Sequence, residues 1–169
     1  MKRPDSSEHA PYYGTYIALV PETDVLGAME TQLAATLRHL RSLPAGAGTK
    51  RYAAGKWSVC EVVGHMIDTE RVFAQRALFL ARSAPGALPG MDQEDWIKAS
   101  SFDAADLGEL ITEFEMTRRS NILFFRHLGG DAWSRRGTGS GVEFTVRALA
   151  YIMVGHERHH MDILRTRYA

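Results

Sequence analysis

Apolar residues in this chain recur every three or four positions over long stretches, and that spacing commits the chain to helices. Leu26, Met29, Leu33, Leu37 and Leu40 form one such row between about Thr23 and Leu43, stopped by the Pro-Ala-Gly-Ala-Gly run at 44–48. A second stretch opens at Trp57-Ser58. Ser58 and Glu61 have the spacing of a capping box, and the pattern continues through His65 and Val72 to about Arg82, where Ser-Ala-Pro-Gly ends it. A third runs from about Asp103 to Leu128, with Leu107, Leu110, Ile111, Phe114, Leu123 and Phe124 as core positions and Gly129-Gly130 as the stop. The fourth starts at Thr145, an N-cap residue, and reaches about Arg167.

No strict alternation lasts more than a few residues, so no sheet is predicted. The glycine-rich 137–141 segment reads as a surface loop: it lacks the Lys-Ser/Thr ending of a phosphate-cradling loop. Met91 to Phe102 reads as one short helix plus a connection. The expectation is therefore an all-α fold, a four-helix bundle spanning residues 1–169 as a single domain, with residues 1–10 a flexible tail.

Composition narrows the function classes. Lys plus Arg and Asp plus Glu number 20 each, so no net field draws in nucleic acid or an anionic membrane. Arg118-Arg119 and Arg135-Arg136, the densest basic spots, read as solvated faces. Cys60 is the only cysteine, which excludes an intramolecular disulfide and a cysteine metal cluster. The N-terminal residues lack a signal-peptide pattern, and no window approaches a membrane span. The expectation is a cytoplasmic protein with a small-molecule partner.

The fourth stretch carries a conflict with its own pattern. At about 100° per residue, His156 and His160 lie in the same sector as Leu149, Ile152, Met153 and Ile163, which is the core-facing one. Two imidazoles on a buried stripe are costly unless hydrogen-bonded or bound to a metal, and the i, i+4 spacing suits chelation. His156-Glu157-x-x-His160 matches the zinc-protease signature, but that chemistry needs a ligand further on. Ile163 and Thr166 stand where a metzincin needs glycine and histidine, and only nine residues follow His160. A di-iron carboxylate bundle needs a second Glu-x-x-His, which is absent. A third ligand must come from upstream. His65, in the apolar setting of Val62, Val63, Met66 and Ile67, is the natural candidate, with Asp68 able to orient an imidazole. The metal site then lies between the second and fourth helices.

These residues resemble the DinB-like (DNA-damage-inducible, YfiT-like) family of metal-binding four-helix bundles. The resemblance covers nearly the whole chain and is sharpest in Trp57-Ser58 followed by Glu61 and His65, and in the His-x-x-x-His near the end. It implies a divalent metal, zinc or nickel first among the imidazole-binding ions, held by His65, His156 and His160. It also implies a homodimer and thiol-dependent transferase or isomerase chemistry with a low-molecular-weight thiol. The same site could activate water as a hydrolase, or the metal could serve only as a structural clip in a stress-related protein. Glu157 and His159 are the candidate catalytic residues for proton transfer. For Glu157 a salt bridge at the surface is the competing role, and for His159 a helix contact.

Overall fold

Each long helix begins where a side-chain oxygen satisfies an orphan backbone donor. Asp24 accepts from Gly27 N, Ser58 from Glu61 N, Asp106 from Glu109 N and Thr145 from Ala148 N. The computed structural model describes residues 2–168. Its four bundle helices are α2 (Val25–Arg41), α3 (Val59–Ala81), α5 (Leu107–Arg126) and α6 (Val146–Arg167); α1 (Pro11–Ala18) precedes them and α4 (Gln93–Ala99) follows α3. Around the bundle, α6 packs on α3 and α2, and both of those pack on α5. The Ser58–Glu61 capping box and the short helix after residue 91 are as the sequence predicts. The third helix starts later than predicted, because Phe102–Ala104 form a separate 3-10 turn before the Asp106 cap.

Two features depart from the sequence reading. First, β1 (Arg136–Gly139) and β2 (Val142–Thr145) form an antiparallel hairpin where no sheet was predicted, with Gly139 opposite Val142. Its two-residue turn, Ser140-Gly141, has φ of 54° and 73°, the left-handed pair that matches strand twist. Four-residue strands rich in glycine carry too little alternation to announce themselves, but a Ser-Gly turn flanked by threonine, valine and phenylalanine was an available signal. Second, Arg3, Ser7 and Glu8, within the stretch read as a tail, make specific contacts with the rest of the fold. Glu8 is buried and accepts from Arg147 Nη2 at 2.6 Å, Arg147 Nε at 3.0 Å and Thr145 Oγ1 at 2.8 Å. Helix α1 was also missed, since among its eight aromatic-rich residues only Ile17 is fully buried and no apolar stripe exists.

The core divides into two apolar clusters. One gathers Met29, Phe73, Phe125 and Leu149–Val154; the other gathers Leu33, Ile67, Phe114, Met161 and Leu164. On every bundle helix the switch between them passes polar residues: half-buried Gln32 and buried Thr36, buried Glu70, Arg118 and Asn121, and buried His156, Glu157 and His160. That polar layer contains both the histidines and a buried ion network.

Candidate metal centre

Helices α3 and α6 face one another along the layer, and each contributes imidazoles at a position its apolar stripe would otherwise fill. His65 Nε2 lies 3.0 Å from His156 Nε2, and His160 Nε2 lies 3.1 Å from the same atom. All three residues are buried, and their ligand atoms lie within 4.8 Å of one another. Burial holds the imidazoles neutral. His65 is pulled down to about 4, and His156 and His160 are pushed well below the usual histidine range, with mutual repulsion adding to the effect.

This donor set fits a metal ion better than it fits itself. In each nitrogen–nitrogen contact only one partner can supply a proton, whereas an ion accepts all three lone pairs together. Tetrahedral bonds of about 2.0–2.1 Å place neighbouring nitrogens roughly 3.3 Å apart, close to what is seen. Among the described residues no fourth histidine, cysteine or carboxylate joins the group. His65 Nδ1 is buried without a partner, and Asp68, which the sequence offered as its orienting carboxylate, instead lies 3.8 Å from Arg71 Nη1. The Trp57 ring packs 5.0 Å from the His65 ring.

A cleft of about 220 Å³ reaches the centre, lined at its floor by His65 and His156. Helix α1 supplies one wall. A Cβ on Gly155 would sit 2.0 Å from the Tyr16 carbonyl oxygen, so only glycine lets α1 lie this close to α6. The Tyr16 ring consequently meets the rings of His156 at 5.5 Å and His159 at 5.6 Å. The opposite wall includes Thr69, whose buried hydroxyl has no partner, and Arg76; Asp92 and the hairpin tip at Ser140 complete the lining. A broader groove between α3 and α5, about 860 Å³, touches none of the three histidines.

The two catalytic candidates separate. His159 is exposed, edge-on to Tyr16 and to His160. Glu157 points a helical step away from His156 into the bundle and is buried, not a surface salt-bridge partner. Its Oε1 accepts from Thr36 Oγ1 at 2.6 Å and its Oε2 from Gln32 Nε2 at 2.5 Å, with Arg118 Nη1 at 2.8 Å from Oε2. Both oxygens are thus engaged away from the cleft. Arg118, read from sequence as solvated, is fully buried and also donates to both oxygens of Glu70, at 2.6 and 3.0 Å. Asp92 lines the cleft, while Glu94 and Trp96 are exposed outside it. Tyr16, Thr69, Arg76 and Ser140 were not anticipated, because tertiary packing alone brings them to the histidines.

Residues 28–164 match the DinB superfamily. The chain belongs to that superfamily. Two solved structures share its fold. YfiT from Bacillus subtilis, described as a probable metal-dependent hydrolase with an unusual four-helix bundle topology, is 16% identical, with a TM-score of 0.68 over 97% of this chain and 92% of that one. The mycothiol-dependent maleylpyruvate isomerase is 13% identical, with a TM-score of 0.69 over 86% of this chain and 62% of that chain. This chain therefore corresponds to under two thirds of the isomerase. No curated protein sequence gives a significant match. No described helix is long and apolar enough to cross a membrane.

Proposed function

We propose that His65, His156 and His160 hold a divalent metal ion, zinc or nickel, and that this DinB-superfamily chain is a metal-dependent enzyme acting on a small molecule. The observation that carries this reading is the convergence of three neutral Nε2 atoms, with two of the three histidines, His65 and His156, lining an open cleft. A structural clip closes its coordination with four protein ligands; here three converge, and the cleft reaches two of them, His65 and His156. When bound, such an ion acts as a Lewis acid that lowers the pKa of a thiol or a water at its open position.

The chain's own residues set the surroundings for that chemistry. Burial and the Tyr12 hydroxyl, 3.2 Å away, push the Tyr16 phenol up, so it stays protonated beside His156. Thr69 Oγ1 offers an unused hydrogen bond inside the cleft. His159, exposed beside the centre, is the group assigned to exchange protons with solvent. Glu157 acts by positioning, anchoring α6 through Arg118. A low-molecular-weight thiol attacking a small electrophile is the preferred reaction class, supported by the mycothiol-dependent structural neighbour. The neighbour described as a hydrolase supports water in the thiol's place. A cytoplasmic homodimer completes the reading, and light scattering tests the dimer.

Elemental analysis tests the metal. About one ion per chain is expected in the wild type and none in His65→Ala or His156→Ala; stoichiometric metal in both variants would overturn the three-ligand assignment. A screen of thiols against a generic electrophile then separates transfer from hydrolysis. A metal that only clips the bundle would show a large melting-temperature loss on chelation with neither activity.

A further inference from the structure

Arg76 lines the same cleft as His65 and His156 and is only 4% exposed. Its Nη2 donates to Pro89 O at 3.0 Å and Ser140 Oγ at 2.7 Å, and its guanidinium lies 5.5 Å from the Phe73 ring centroid with the Tyr13 hydroxyl beside it. No carboxylate among the described residues forms an ion pair with it. A guanidinium is always charged, and a buried charge is costly unless an opposite charge meets it.

The hairpin tip is shaped around this group. Ser140 adopts a left-handed φ of 54°, uncommon for a residue with a side chain, and in doing so presents its Oγ to Arg76. Gly139 leaves the space: a Cβ there would lie 3.0 Å from Arg76 Nε. Leu88 N donates to Thr138 O at 2.9 Å and Ser140 N to Leu88 O at 3.2 Å, which pins the connection carrying Pro89 against the same tip. Two chain segments thus close over a cation that neither neutralises.

We propose, building on the reading of the cleft as a substrate site, that Arg76 binds a carboxylate of the small-molecule substrate, whose reacting end lies at the histidines. The planar fork of donors matches a carboxylate. Charge selects a monoanion: Arg76 is the only lysine or arginine in the lining, and Asp92 on the same lining opposes a second negative charge. Specificity for a carboxylate over its amide follows, because the amide leaves the guanidinium unneutralised.

The test titrates acetate, acetamide and inorganic phosphate into the zinc-loaded protein at constant ionic strength, reading the Arg76 Nε–H resonance and calorimetric affinity, with metal content measured on each sample. Acetate should shift the resonance saturably, with acetamide and phosphate at least about tenfold weaker. Arg76→Gln should weaken acetate about tenfold or more while retaining zinc, and Arg76→Lys should fall between. Ser140→Ala, which leaves the charge in place, should stay within about threefold of wild type. Three results overturn the proposal: no saturable acetate shift, acetamide or phosphate binding as well as acetate, or unchanged acetate affinity in Arg76→Gln. Failure of the metal reading is separate, since it appears as absent zinc whatever acetate does.

Discussion

Two buried arginines of this bundle, Arg76 and Arg118, keep opposite company. Arg118 on α5 lies between Glu70 of α3 and Glu157 of α6, with Asn121 donating to Glu70 and with Thr36 and Gln32 of α2 donating to Glu157. That network joins all four bundle helices and turns its charges inward on one another. Arg76 on α3 meets only a carbonyl, two hydroxyls and aromatic rings, and it faces the cleft. The same side chain therefore does two things in one fold. Where its charge is answered within the protein it holds helices together, and where it is unanswered it leaves a binding capacity at the surface of the site.

The sharpest way to break this comparison is to remove each charge in turn. Arg118→Met strands two carboxylates in the core and should cost about 3–5 kcal/mol in urea denaturation, with Glu70→Gln and Glu157→Gln together restoring much of it. A loss below about 1 kcal/mol would show that the network is not what joins the helices.

Acid comes next, and it reports on the cleft side. In metal-stripped protein, His65 has a folded pKa of about 4 against an ordinary 6.5. The unfolded chain therefore takes up the proton first. This contribution is flat above pH 6.5, and stability falls as pH drops from 6.5 towards 4, by up to about 3 kcal/mol. His65→Gln should lessen that slope, the remainder coming from His156 and His160, which burial also holds neutral; an equal slope in both proteins would remove His65 as a source.

Gly155→Ala should cost about 1–3 kcal/mol by forcing α1 off α6, and limited proteolysis should find the region around Tyr16 first. Arg118 is served by other helices, so protection of α5 should be unchanged. The smallest effect is expected for Arg76→Met, within about 1 kcal/mol of wild type in either direction, because an uncompensated buried charge is lost. A loss matching that of Arg118→Met would make the two arginines equivalent and end the comparison.

Much of this architecture was legible in the chain itself. Helical spacing and cap residues located α2, α3, α5 and α6, because a three- to four-residue apolar period and a Ser-x-x-Glu box are local signals. The i, i+4 pair His156 and His160 was visible as polar groups on an apolar stripe, and the resemblance around His65 named their partner. What the sequence could not decide was direction around the helix and company across it. Glu157 and Arg118 look like surface residues in sequence, yet the bundle closes them upon each other, since the partners that offset desolvation lie up to 125 positions away. Arg76, Tyr16 and Ser140 reach the cleft only because a short helix and a hairpin fold over it. Local spacing determined which groups could bind a metal; tertiary packing decided which charges were left unanswered beside them.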